Sequence, residues 1–178
     1  MSSMTRRPAI LATILIGLAA GPAMSQNSVS ALKGHDSNAP VDVEADRIEV
    51  QDRADRAIFS GNVNVRQTDL TMNSARLTVA YAGGASGTQI KRLDASGGVT
   101  VRSPSETARG SVAIYDLDRR LITMLGNVTL NQGQNTVNGN RLVIDLNSGR
   151  STIDGQGVAG GQGGRVTGRF TVRQSSGN

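Results

Sequence analysis

The chain has 178 residues, among them 22 Gly, two Phe, two Tyr and one His, with no Cys, no Trp and a formal net charge of +5. Without Cys there is no disulfide framework, no thiolate metal site and no thiol nucleophile; one His is too few for a histidine metal centre or a Ser–His relay, so no cofactor or metal is expected. This Gly-rich, aromatic-poor composition suits many short strands joined by turns within one domain, not a helical bundle.

Residues 1–25 have the three parts of a secretory signal. Arg6 and Arg7 form a charged start, Ala9 to Ala20 an apolar run, and Gly21 to Ser25 a stretch of small residues suited to cleavage after Ala23 or Ser25. The run is 12 residues long, short of the ~20 that span a bilayer, so a cleaved leader is expected over a retained anchor. Without the two leader arginines the balance is 17 Lys+Arg against 14 Asp+Glu, a net charge of +3. Residues 26–40 are small, polar and aperiodic and read as a flexible mature N-terminus, with His35 as a solvated tail histidine.

From residue 41 a repeat begins. Ala45-Asp-Arg-Ile48, Ser74-Ala-Arg-Leu77, Arg109-Gly-Ser-Val112 and Asn140-Arg-Leu142 alternate along the chain with a Gly-x-Val type: Gly61-Asn-Val63, Gly97-Gly-Val99, Gly126-Asn-Val128 and, more weakly, Gly157-Val158. The steps between them are 13 to 16 residues, apart from one of 22 that contains the Gly/Ser insertion Ala82–Thr88. The unit is therefore about 30 residues, in the range of stacked or wound architectures.

Each half-unit carries a period-2 run. Phe59, Val63 and Val65, then Leu77 and Val79, Val99 and Val101, Ile122 and Met124, Val128 and Leu130, and Leu142, Ile144 and Leu146 share one sheet face, with Asn64, Thr78, Thr100, Thr129 and Val143 on the other. Turn signals separate the runs at 52–55, 67–69, 116–118, 131–133 and 147–149. The two prolines beyond the leader, Pro40 and Pro104, interrupt no run. The result is an all-β domain over residues 41–158 with one apolar face per strand. Residues 159–178 form a Gly-rich C-terminal segment that supplies, at most, a last edge strand.

Ala45-Asp-Arg-Ile48, the turn at Asp55 and Ala57-Ile-Phe-Ser-Gly-Asn-Val63 resemble the repeat of the OstA-like (LptA) family of periplasmic lipopolysaccharide-export proteins, over about Val41 to Gly157. The resemblance implies stacked antiparallel strands forming a V-shaped β-jellyroll whose apolar groove takes the acyl chains of lipopolysaccharide. It also implies head-to-tail self-association, and joining to related domains of inner- and outer-membrane export components. On that basis the expected lining is Ile48, Phe59, Val63, Leu77, Val79, Val99, Val112, Ile122, Met124, Val128, Leu142 and Ile144, with Phe59 as a plug or gate. Arg47, Arg76 and Arg141 recur at one repeat position and are the candidates for lipid A phosphates at the groove mouth. The exposed edges are expected from residues 41–50 and about 150–172.

Three other functions compete with this reading. Asp116 and Asp118 would have to serve as paired carboxylates in an enzyme, but Asp-Leu-Asp-Arg-Arg reads as a charged turn, so no enzyme is expected. Scattered Arg and four aromatics make no stacking platform, so no nucleic acid is expected. A structural β-solenoid or adhesin-like secreted domain predicts the same strands around a filled, narrow core.

Overall fold

The computed structural model describes residues 35–84, 87–155 and 164–171; the expected leader and Gly157-Val158 lie outside the described residues. Ten strands follow in chain order: β1 (Asp42–Glu44), β2 (Arg47–Gln51), β3 (Arg56–Gln67), β4 (Leu70–Gly84), β5 (Gly87–Arg102), β6 (Glu106–Asp116), β7 (Leu121–Gln132), β8 (Asn135–Asp145), β9 (Arg150–Asp154) and β10 (Thr167–Arg169). All pair antiparallel in the order β1-β3-β4-β5-β6-β7-β8-β10, with β2 also on β3 and β9 also on β8. The fold is all-β, as expected from the period-2 runs.

The sheet is folded along a line of bulges. Register shifts occur between Ser60 and Val63, Asn73 and Arg76, Ser96 and Val99, Arg109 and Val112, and Leu125 and Val128. Each long strand is thereby cut into two segments, and the segments gather into two layers. The upper layer holds β1, the 63–67 end of β3, the start of β4, the end of β5, the start of β6, the end of β7, the start of β8, and β10. The lower layer holds β2, β9 and the other halves. A single apolar cluster, with Val65, Met72 and Val101 from above and Leu93, Ile122 and Ile144 from below, fills the space between them.

The Gly-x-Val repeat is the bend. Gly61 and Asn62, Gly97 and Gly98, and Gly126 and Asn127 are consecutive pairs with positive φ, a conformation that Gly and Asn reach at least cost. On these strands three residues separate the inward side chains of the two halves, as between Met124 and Val128. On β4, β6 and β8 two residues do so, as between Ser74 and Leu77. The bulge thus keeps one face inward across the bend, where an uncorrected slip would turn the second half of each strand out to solvent.

That spacing corrects the expectation for Val112. Ser74-Ala-Arg-Leu77 aligns with Gly110-Ser-Val-Ala113, so Ala113 is the buried residue and Val112, half-buried, takes the outward slot that Arg76 fills in β4. Opposite the bend, two rows of turns face each other and form the mouth of the V. The upper row holds 68–69, 103–105 and 133–134, and the lower row 52–55, 117–120 and 146–149.

Candidate functional site

The interior runs from one end of the stack to the other. In the lower layer one row passes through Ile48, Phe59, Leu77, Ala95, Ala113, Met124, Leu142 and Ile153, each opposite the next across a strand pair. Of the expected lining residues, Val63, Leu77, Val79, Val99, Ile122, Met124, Val128, Leu142 and Ile144 are buried in the common cluster, and none is more than 5% exposed. Phe59 is partly buried against the cluster, while Ile48, on the edge strand, is 56% exposed.

The interior is closed in this structure. Its aliphatic side chains are buried against one another in a single cluster, and the space among Val41, Val65, Leu70, Met72, Leu93 and Tyr115 holds only about 10 Å³. Such a space holds at most a single water. Ala95 and Ala113, both fully buried, put two small side chains in the middle of the lower wall.

At the β1 end the interior is capped by a polar cluster that the alternation of β3 foreshadows. Val63 and Val65 point inward, and so does Gln67, which is 2% exposed. Its Nε2 donates to the carbonyls of Ser37 (3.1 Å) and Ala39 (2.9 Å), and its Oε1 accepts from the Tyr115 hydroxyl (3.0 Å) and from His35 Nε2 (3.1 Å). Both amide protons and both lone pairs of Gln67 are used, which is what lets an amide be buried. Because an amide oxygen only accepts, His35 carries a proton on Nε2. Its Nδ1 lies 3.2 Å from Asp69 Oδ1 and 3.1 Å from Thr68 Oγ1.

Burial opposes ionisation of Asp69, but hydrogen bonds from His35, its own backbone and Thr68, together with the His35 charge, outweigh it and hold the carboxyl below its ordinary value. Burial pushes the Tyr115 phenol up, so it stays a donor at neutral pH.

His35 is therefore not a solvated tail residue. It is 8% exposed and pinned against the β3–β4 turn, and Ser37 is buried beside it. Composition placed 35–40 in a polar tail because the partners of His35, Gln67 and Asp69, stand 32 and 34 positions away and leave no local pattern. The available signal was Gln67 itself, a polar residue in an inward phase.

The recurrent arginines are also placed differently. Arg47, Arg76 and Arg141 lie at the bend on the outward side of the lower layer, where Arg47 pairs with Ser60, Arg76 with Ser60 and Ser96, and Arg141 with Leu125 and Asp154. They stand at the bend, away from the turns that form the mouth where phosphate contacts were expected. Arg141 instead faces Asp154 at 3.9 Å. Asp116 and Asp118 form a turn: Asp116 accepts the Arg119 N–H at 2.9 Å and Asp118 meets Lys91 Nζ at 3.2 Å. No group of three or more potential metal ligands occurs among the described residues.

Both ends of the stack carry short, half-paired strands. β1 and β2 close one end and β9 and β10 the other, within the two expected edge segments. Among the described residues, the exposed large apolar side chains are there too: Ile48 and Val50 at the first end, Val166 and Phe170 (67% exposed) at the second.

Comparison with known proteins bears on this architecture. The family described as LptA/(LptD N-terminal domain) LPS transport protein matches residues 42–150. An uncharacterized protein of Rhizobium meliloti (strain 1021) is 32% identical over 166 residues, covering 88% of this chain and 89% of that protein. Among solved structures, the LptA-homologous periplasmic component of the lipopolysaccharide transport device of Pseudomonas aeruginosa, LptH, has the same fold. Its TM-score is 0.66 at 18% identity, over 78% of this chain and 99% of that one.

Proposed function

Because this chain belongs to the LptA/LptD N-terminal domain family of lipopolysaccharide transport proteins, we propose that it is a periplasmic carrier that takes the acyl chains of lipopolysaccharide between its two layers and hands them along the stack. The observation that carries this reading is the unbroken apolar interior, which extends from Phe59 on β3 to Ile153 on the edge strand β9, with edge strands at both ends of the stack. A lipid chain in water costs ~0.8 kcal/mol per CH₂, so a chain of ~14 carbons faces about 11 kcal/mol. A wall of Leu, Val and Ile removes that cost at every position, which keeps the barrier to sliding low.

The closed interior sets the loading step. A hydrocarbon chain enters only as the layers part, and it then replaces contacts between aliphatic side chains with contacts of the same kind. The bend supports such a motion: its positive-φ pairs at 61–62, 97–98 and 126–127 form a line along which two rigid layers can open. The headgroup stays at the mouth.

The same reading places residues 1–25 as a leader cleaved after Ala23 or Ser25 and residues 41–158 as the transport domain. It assigns the exposed apolar edges to end-to-end contacts with further copies and with related domains of the inner- and outer-membrane components.

One observation favours a second reading. An interior this tightly filled is what a structural β-solenoid or adhesin-like domain would have. A photoreactive residue at Phe59 or Leu142 separates the two: in cells it crosslinks to lipopolysaccharide if the layers open, and a folded, secreted protein with no lipid adduct at either position overturns the carrier.

A further inference from the structure

Resting on the carrier reading, we propose that residues 35–41 are a displaceable strap that seals the mouth at the β1 end, and that an incoming hydrocarbon chain must dislodge it to enter. The strap spans the two rows of turns. On the upper side it is fastened by Gln67, which grips the carbonyls of Ser37 and Ala39, and by the Thr68-Asp69 turn, which holds His35. On the lower side it faces Thr88, Gln89, Ile90, Leu117 and Asp118 across a cleft of about 450 Å³ that it does not fill.

Gln67 and the Thr68-Asp69 turn hold it through side-chain hydrogen bonds, and Val41 packs on the apolar cluster. Within the strap a backbone turn runs from the Ala39 N–H to the Asp36 carbonyl (3.2 Å), whereas β1, which follows, is laddered to β3. A segment held this way leaves without breaking the sheet. Beneath it lies a small gap of the interior, walled by Val41 of the strap itself and by Leu93, Met72 and Tyr115. The strap and a lipid chain therefore compete for the same space, and the population with the strap released sets the apparent affinity.

The chain has no cysteine, so a pair introduced as Asn38→Cys and Thr88→Cys, both at exposed positions, can carry two spin labels on the otherwise intact mature protein. Purified lipopolysaccharide without O-antigen is the probe. The expected result is binding accompanied by a longer 38–88 distance. In parallel, His35→Ala and the volume-conserving Gln67→Met, each checked for native circular dichroism, should bind the probe about three- to tenfold more tightly. Binding with an unchanged 38–88 distance, or equal affinity in both folded variants, overturns the strap and leaves the carrier standing. Absence of binding by the wild type and by both variants overturns the carrier and, with it, the strap.

Discussion

The Tyr115 hydroxyl in the lower layer donates to Gln67 Oε1 in the upper layer at 3.0 Å, a side-chain hydrogen bond that crosses the apolar interior. Tyr115 is 1% exposed, so its ring is packed as core while its oxygen serves the polar cap. Tyr115→Phe keeps the ring and removes the donor, leaving Gln67 Oε1 with His35 alone. We expect a loss of about 1 kcal/mol. Combined with His35→Ala the loss should exceed the sum of the single losses, because Gln67 Oε1 is then buried without a partner. Urea denaturation of the four proteins, read as a double-mutant cycle, checks this; strict additivity would count against a shared cap.

Acid should loosen the same corner. The folded state holds the Asp69 carboxyl below its ordinary value, so the unfolded chain binds that proton first as pH falls. The contribution is thus fully present above the unfolded value, near pH 4, and is lost as pH drops through the lower folded value. Asp69→Asn should flatten the acid limb of the stability curve between about pH 5 and pH 2 and leave the slope of the curve near pH 8 as in the wild type. Stability measured in urea across that range is the test, and identical acid limbs would show that Asp69 does not report on the cap.

Much of this architecture is legible in the residue pattern, and what is not has a physical cause. Alternation and the Gly-x-Val spacing specify the strands, the apolar face and the bend, because each is a local constraint that returns every half-unit. The phase of β6 is harder to read. Gly110 carries no side chain to mark the inward position, so Val112 and Ile114 look like the buried pair when Ala113 and Tyr115 are. The polar cap and the closure of the interior depend on contacts between layers, to which no periodicity is tied.

The β6 phase gives a sharp contrast between neighbours. Val112 occupies the outward slot held by arginine at 76 and 141, so Val112→Arg should change stability by no more than about 0.5 kcal/mol. Ala113→Arg puts an unpaired charge between the layers and should prevent folding, at a cost of several kcal/mol. Expression and thermal melting of the two variants decide the matter; equal damage from both would mean that β6 is read out of phase.

The bend can be tested through its glycines. Gly126 has φ +78°, and a Cβ there would lie 2.7 Å from Ser111 Oγ, whereas Gly133 has φ +58° in a turn with nothing within 4 Å. Ala at either site bears the left-handed penalty of roughly 1–2 kcal/mol. Gly126→Ala adds a steric clash with the neighbouring strand, and we expect it to be worse by a further ~1 kcal/mol or more. Similar melting temperatures for the two variants would argue against a tight bend at 126.

End-to-end assembly should depend on the apolar edges. Ile48 is 56% exposed on β2 and Phe170 67% exposed beside β10, at opposite ends of the stack, and an edge strand offers unpaired backbone groups to a second chain. A charge in the joint would be desolvated without a partner, so Ile48→Lys should weaken association at least tenfold, equivalent to about 1.4 kcal/mol, while the monomer keeps its fold. Removing residues 155–178 takes away β10 and Phe170 and should shorten the assemblies from the other side. The altered end of each variant should fail to join wild type while its other, intact end still does, so mixing either one with wild type shortens its chains. Light scattering at matched concentrations reads all three results. Mass distributions that do not move with either change would place the contact somewhere other than the strand edges.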